Sequence, residues 1–221
     1  EDVDHLKRIF PDSTCFQYDY LNDDVDNVFG NYPLFKGTWK LPDNLRKDLE
    51  NPENKWIILI NPPFATSQPG KLQSGDYKKD VSNTKIRELM HDLDLGEVSR
   101  ELLTQFLFRI KKEFSNKSAH LGLFSKIKYL KSNNDQKFRD KLLDFKFEKG
   151  LIFSSANFSG TSKNSQFPVG FIVWNLKESK KFDQQEILLD VFNEDVEKIE
   201  TKKIIIENRD KFLNKWIDRE P

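Results

Sequence analysis

The feature of this sequence that most constrains its fold is a short apolar run closed by two prolines. Residues 56–60 read Trp-Ile-Ile-Leu-Ile, and Asn61, Pro62 and Pro63 follow directly. A continuous aliphatic run of this length is typical of a strand that is buried on both faces. Because proline cannot donate a hydrogen bond to a strand ladder, the strand must end at this point.

Strand and helix patterns alternate along the rest of the chain. Strand patterns occupy residues 14–21, 119–124, 150–153, 167–174, 186–192 and 203–207. Helical patterns occupy residues 96–114, 134–145 and 209–217, whereas residues 65–84 have no apolar period and predict a long loop. This alternation predicts an α/β fold with a mostly parallel sheet, whose ligands bind beyond the carboxyl ends of the strands.

Composition limits the possible partners and compartments. The 36 basic and 36 acidic residues give a net charge of zero, so any contact with nucleic acid must be local. With Cys15 as the single cysteine and three dispersed histidines, neither an internal disulfide nor a zinc site is expected. No apolar run approaches the roughly 20 residues that span a bilayer, and the acidic start does not resemble a signal peptide. We therefore expect a cytoplasmic protein without a membrane partner.

Two interpretations of Asn61-Pro62-Pro63-Phe64 are open. The prolines can simply end the strand, since asparagine tolerates turn geometry. Alternatively, the rigid strand end presents an amide oxygen and a backbone carbonyl, which together accept both hydrogens of an exocyclic amine and favour a pyramidal nitrogen. A neighbouring aromatic ring would hold the base by stacking. The buried strand that precedes Asn61 favours this second interpretation.

The tetrapeptide and its strand resemble the catalytic loop of the S-adenosylmethionine-dependent amino-methyltransferases, in particular the adenine-N6 DNA methyltransferases of restriction-modification systems. The resemblance implies that Asn61 and Pro62, stiffened by Pro63, hold the target nitrogen. It also implies that Phe64 stacks on an adenine flipped out of double-stranded DNA.

Further matches follow in the family's order over residues 14–178. Asp19, within Tyr-Asp-Tyr-Leu, resembles the acidic residue after the family's third strand that contacts the adenosyl part of the cofactor. Phe158 stands where relatives present a second aromatic ring to the base, with Phe167 as the next candidate. Residues 99–110 resemble the helix after the catalytic loop, and Arg139 begins an Arg-x-x-Leu motif. Ser125 or Lys126 stands where relatives often have proline, so this one match is weaker.

The resemblance also predicts what is missing. No glycine-rich cofactor turn precedes Asp19, so we expect a Rossmann-like methyltransferase fold that is incomplete on its N-terminal side. Residues 1–182 would form the C-terminal part of the methyltransferase domain, and residues 183–221 an extension that begins a target-recognition segment. The chain alone would bind S-adenosylmethionine weakly and be inactive, and another chain or segment would complete the sheet.

Three functions follow from these observations. The first is methyl transfer from S-adenosylmethionine to adenine N6 in double-stranded DNA, favoured by phenylalanine rather than tyrosine at position 64. The second is methylation of a protein glutamine or an RNA base. The third is a non-catalytic module of a restriction-modification complex, which the missing glycine-rich turn favours.

Overall fold

The computed structural model describes residues 2–29, 38–63, 84–157 and 167–206. Its helices are α1 (Asp2–Ile9), α2 (Val25–Phe29), α3 (Asp43–Glu50), α4 (Lys85–Asp92), α5 (Leu102–Phe114) and α6 (Gln136–Lys141). Its strands are β1 (Lys55–Ile60), β2 (Ser118–Lys126), β3 (Phe145–Ser154), β4 (Pro168–Ser179), β5 (Ile187–Phe192) and β6 (Lys198–Ile204). The predicted helix at residues 209–217 and most of the predicted loop at residues 65–84 lie outside the described residues.

The strands form one six-stranded sheet in the order β1-β2-β4-β3-β5-β6. β1 and β2 are parallel, as are β3 and β5. β4 lies between β2 and β3 and runs antiparallel to both, and β6 is antiparallel to β5. The prediction of an α/β fold is confirmed, but the prediction of a mostly parallel sheet is wrong because β4 enters the sheet in the opposite direction.

Most predicted strands are confirmed: β2, β3 and β4 are longer than predicted, whereas β5 begins one residue later than predicted. The helical pattern of residues 96–114 becomes a 3-10 turn at Gly96–Arg100 followed by α5. α6 is shorter than predicted because residues from Phe145 onward join β3, where Phe145 pairs with Ser179. The strand predicted at residues 203–207 lies earlier in the chain, at β6. No described helix is long and apolar enough to cross a membrane.

The hydrophobic core lies between one face of the sheet and helices α4 to α6. Leu121 and Leu123 on β2, and Ile172 and Trp174 on β4, are almost completely buried on this face. α5 adds the buried residues Leu107, Phe108 and Ile110 to this core. An apolar side chain of this size contributes about 1.5–3 kcal/mol when it is buried rather than exposed, so these α5 side chains are an important part of the stability of the core.

The opposite face of the sheet carries exposed apolar side chains. Ile57 and Leu59 of β1 are 79% and 70% exposed, and Phe124 of β2 is 37% exposed. Burial alternates along β1, so only one of its faces lies against the core. The prediction that this strand is buried on both faces is therefore wrong for the described residues, because no described element covers the face that carries Ile57 and Leu59.

The strand predicted at residues 14–21 is also wrong. Residues 14–19 form an irregular segment without sheet pairing, and a turn at residues 20–24 leads into α2. The backbone carbonyls of Tyr20 and Asp23 accept hydrogen bonds from the side chain of Arg109 on α5. A helix side chain thus satisfies backbone groups that a neighbouring strand was expected to satisfy.

Candidate active site at the carboxyl edge of the sheet

The predicted catalytic residues follow β1 at one edge of the sheet. Ile60 is the last residue of β1 and pairs with Leu123 of the parallel strand β2. Asn61 and Pro63 are exposed, whereas Pro62 between them is buried. Burial of the middle residue fixes the backbone while the asparagine side chain stays accessible. Phe64 lies outside the described residues.

Several other strands reach the same edge. β2 ends at Lys126, which pairs with Val169 near the start of β4. β3 ends at Ser154, which pairs with Pro168 at the very start of β4. The carboxyl ends of β1, β2 and β3 therefore lie together with the first residues of β4. In open α/β sheets this edge is where ligands bind.

Lys126 and Phe167 meet at this edge. The ammonium nitrogen of Lys126 lies 4.3 Å from the centre of the Phe167 ring, within the range of a cation–π contact. Phe167 is held by Ser155, whose backbone N–H donates to the Phe167 carbonyl at 2.9 Å and whose hydroxyl accepts from the Phe167 N–H at 3.1 Å. A fixed aromatic ring and a cation therefore stand at the strand ends. Phe158 lies outside the described residues.

The segment after β2 is anchored to the core behind this edge. The indole N–H of Trp174 donates to the hydroxyl of Tyr129 at 3.2 Å. Complete burial raises the pKa of Tyr129, so its hydroxyl stays protonated at neutral pH. The Nη1 group of Arg139 donates to the carbonyls of Tyr129 and Ser132 at 2.9 and 2.8 Å. Arg139, the first residue of the Arg-x-x-Leu motif, thus anchors the segment that follows β2.

Asp19 is exposed, but it does not stand at a strand end. Its carboxylate accepts from the backbone N–H of Leu21 at 3.1 Å and from the amide of Asn22 at 2.7 Å. The Asp19 N–H donates to the carboxylate of Asp23 at 2.8 Å. Each carboxylate oxygen retains accepting capacity for a hydroxyl or amine donor. Asp19, the predicted cofactor residue, therefore lies in a hydrogen-bonded turn, and its carboxylate can accept further hydrogen bonds.

This turn also contacts the beginning of α4. The Lys85 N–H donates to the side-chain oxygen of Asn22 at 3.0 Å, and the Ile86 N–H donates to the Leu21 carbonyl at 3.3 Å. Thr84 begins α4 as its N-cap, and its side chain accepts from the Arg87 N–H. Two segments that are far apart in the sequence are therefore joined next to Asp19.

The arginine that anchors the turn was not singled out from the sequence. Leu102, Phe106 and Arg109 recur at four- and three-residue steps, which places Arg109 on the stripe of α5 that carries apolar residues. A charged residue within such a stripe is a signal for a buried polar contact. The partner segment carries Tyr18 and Tyr20, but nothing in its sequence predicts which helix it contacts.

Comparisons with solved structures give distant matches to DNA complexes, among them two of restriction-modification enzymes. The type IIL restriction-modification enzyme MmeI, in complex with DNA, matches with a TM-score of 0.45 and 16% identity, over 81% of this chain and 23% of that one. The DrdV–DNA complex matches with a TM-score of 0.42 and 13% identity, over 78% of this chain and 19% of that one. The ATP-dependent type ISP restriction-modification enzyme LlaBIII, bound to DNA, has a TM-score of 0.36, 15% identity, and coverage of 67% and 11%.

This chain therefore spans less than a quarter of the length of each of these three proteins. No protein-family model matches the chain, and no curated protein matches it. All three TM-scores lie below 0.5, so these matches assign neither a fold family nor a function to the chain.

Proposed function

We propose that this chain carries the catalytic loop of a DNA methyltransferase that transfers a methyl group from S-adenosylmethionine to adenine N6. The observation that carries the proposal is the position of Asn61-Pro62-Pro63 at the carboxyl end of β1, beside the parallel strand β2. Ligand-binding loops of open α/β sheets occupy this position. If the prolines only ended the strand, there would be no need for the exposed Asn61 beside the buried Pro62.

The proposed chemistry is carried by two oxygen atoms. The side-chain oxygen of Asn61 and the backbone carbonyl of Pro62 accept the two N–H bonds of the adenine amine. These contacts localise the nitrogen lone pair and aim it at the methyl group, which the cofactor supplies when it is bound. Phe64 and Phe158 are the proposed stacking partners of the flipped base, and Phe167 holds a fixed ring at the same edge.

The cofactor proposal rests on Asp19. Its carboxylate is exposed and has free acceptor capacity, so it fits a ligand that offers hydroxyl or amine donors. The adenosyl part of S-adenosylmethionine offers both. In the proposed enzyme Asp19 orients this part of the cofactor, while Asn61 and Pro62 orient the acceptor nitrogen.

The edge of β1 supports a further part of the proposal. In a doubly wound sheet of order 3-2-1-4-5-6, the fourth strand pairs with the first and the fifth. β1 corresponds to the fourth strand in the methyltransferase resemblance, and its described neighbour is β2 alone. The other edge of β1 therefore has no partner strand among the described residues. We propose that another segment or another chain adds a strand along β1.

DNA is the proposed substrate, and its contacts are local. Lys126 places a positive charge at the edge that carries Asn61, and Lys131 follows in an exposed position after β2. Cations at this edge can meet the phosphates that flank a flipped nucleotide. Because the chain as a whole is neutral, these contacts would position DNA without long-range attraction.

The test is methyl transfer with tritiated S-adenosylmethionine in the full-length protein. Label on duplex DNA that disappears in Asn61→Ala supports the proposal. Asn51→Ala is the matched control, because Asn51 is an exposed asparagine in the turn before β1, at the opposite end of the strand. Label on protein or RNA instead of DNA would show that the substrate is a protein or an RNA and that the DNA part of the proposal is wrong.

A non-catalytic module is the second candidate, because two prolines can end a strand without contributing to a reaction. It predicts no label on any substrate and an Asn61→Ala variant that still assembles with its partners. Calorimetry with the 221-residue chain separates the two proposals further. The enzyme proposal expects weak binding of S-adenosylmethionine by the chain alone and strong binding once the sheet is complete.

A further inference from the structure

We propose that Arg109 is a positioning residue for the cofactor, which fixes the turn that presents Asp19. The inference rests on the proposed function, since it concerns how the cofactor acid is held. Asp19 was expected to gain its position from a strand, but residues 14–19 do not pair with the sheet. Another part of the molecule must therefore determine where the carboxylate lies.

The guanidinium of Arg109 makes contacts on both sides of Asp19. Its Nη2 group donates to the hydroxyl of Tyr18 at 2.8 Å. Its Nη1 group donates to the carbonyl of Tyr20 and, at 2.8 Å, to the carbonyl of Asp23. The residues directly before and after Asp19 are thus held by one planar group. A lysine could not make these contacts together, because its ammonium lacks the rigid fork.

Glu113 holds the guanidinium itself. The Nε group of Arg109 donates to one Glu113 oxygen at 2.7 Å, and the hydroxyl of Tyr20 donates to the other at 2.7 Å. The Arg109 side chain is 1% exposed and the Glu113 side chain 13%. Burial opposes the charge on Arg109, but Glu113 and its hydrogen bond more than offset this and raise the pKa of Arg109. The cation is therefore permanent and fixed in orientation.

Aromatic rings complete the enclosure. The Arg109 guanidinium carbon lies 4.4 Å from the centre of the Tyr20 ring and 5.5 Å from that of Tyr18. The Tyr20 ring stacks on Phe106, one turn earlier on α5, at 5.5 Å. These rings restrict the guanidinium to a single orientation. The hydrogen bonds, the ion pair and the ring contacts all join the turn at residues 18–23 to α5.

The turn has internal hydrogen bonds that set its shape but not its place. The Asp19 carbonyl accepts from the N–H groups of Asn22 and Asp23, and the Asp19 carboxylate accepts from the Leu21 N–H. All of these bonds move with the turn as a unit. Arg109 fixes the unit to α5, in addition to the hydrogen bonds that join Leu21 and Asn22 to the start of α4. A displacement of about 1 Å in such a group can cost up to about a hundredfold in catalysis.

The test compares two variants of α5 in the full-length protein. Arg109→Lys keeps the charge but loses the fork, and we expect the KM for S-adenosylmethionine to rise about tenfold with kcat within about twofold. Lys111→Met is the matched control, since Lys111 lies on the same helix and pairs with Asp144 beside the start of β3. It should lower the melting temperature and leave this KM unchanged.

Tyr18→Phe provides a milder variant that keeps the fold if Arg109→Lys does not. It removes only the hydroxyl, which accepts from Nη2 and also donates to the Asp23 carbonyl at 3.1 Å. KM should therefore rise about twofold to threefold, and the effect should combine non-additively with Arg109→Lys. If Arg109→Lys and Tyr18→Phe both transfer methyl with the same KM for S-adenosylmethionine as Lys111→Met, Arg109 is not a positioning residue. That result would leave the proposed function in place. A wild-type protein that neither binds S-adenosylmethionine nor transfers methyl would overturn the proposed function first.

Discussion

The hydroxyl of Thr84 donates a 2.6 Å hydrogen bond to the side-chain oxygen of Gln105, and both side chains are buried. The Gln105 amide nitrogen donates in turn to the Ser99 carbonyl at 2.8 Å. Thr84 begins α4, and Gln105 lies in the second turn of α5. This pair therefore joins the two helices that cover the sheet beside the candidate site.

Thr84→Val should lower the free energy of unfolding by about 1–3 kcal/mol. The substitution keeps the shape of the side chain but leaves the Gln105 oxygen buried without its donor and removes the cap of α4. Urea unfolding followed by circular dichroism measures the change. Thr84→Ser, which keeps the hydroxyl, should lose less than about 1 kcal/mol, and equal losses in both variants would contradict this account.

Tyr129→Phe should lower the free energy of unfolding by about 1–2 kcal/mol. The hydroxyl that it removes accepts from the Trp174 indole N–H at 3.2 Å, and Trp174 is 1% exposed, so water cannot replace the lost partner. Thermal unfolding gives the magnitude. The tryptophan emission reports the environment of the indole. A variant as stable as the wild type would mean that the indole has another acceptor.

Stability should show an acid-sensitive component that depends on Asp144. Its carboxylate is partly buried, which alone would raise its pKa, but hydrogen bonds from Lys111 and Ser179 lower the pKa below the usual 3.8. A lowered pKa gives stability that is present above the unfolded value and is lost as pH falls through the folded value. As the pH falls below the usual carboxyl pKa of 3.8, the wild type should therefore lose more unfolding free energy than Asp144→Asn. Equal losses of unfolding free energy in the wild type and in Asp144→Asn would contradict this role of Asp144.

The two faces of β1 should respond differently to substitution. Ile57 is 79% exposed, whereas Ile58 packs against the core. We expect Ile57→Thr to change the free energy of unfolding of the chain by less than about 0.5 kcal/mol. Ile58→Thr should cost about 1–3 kcal/mol because it buries a hydroxyl. If another chain covers this face of β1, Ile57→Thr also weakens that association, which sedimentation measures.

Strands with continuous apolar runs could be predicted from the sequence, but their neighbours could not. The run at residues 56–60 correctly predicts β1, since few other structures accommodate it between polar segments. Its burial depends on what lies above Ile57 and Leu59, which is a property of the whole sheet. The direction of β4 is likewise set by its insertion between two other strands. Helix α3, with Leu45 and Leu49 as its apolar positions, has too little pattern to be recognised.

The candidate site also has one part that could be predicted from the sequence and one part that could not. The position of Asn61 to Pro63 at a strand end follows from local chemistry, because the prolines end the ladder. The position of Asp19 depends on Arg109, which is 90 residues later in the chain. Alternation of apolar and polar residues at 14–21 predicts a strand, and the contact with α5 overrides that preference. The roles of Phe64 and Phe158 stay predictions.

The contacts of Arg109 with the turn at residues 18–23 have a consequence for the order of folding. They join residues separated by 86 to 91 positions, so a loop of that length must close before they form. Contacts within α5 and between β3 and β4 are far more local and carry a smaller entropic cost. The N-terminal segment should therefore dock late, onto a helix that is already in place. In the native protein the same segment should open early, so the acidic turn is expected to become accessible to proteases before α5 and the sheet as the protein is destabilised.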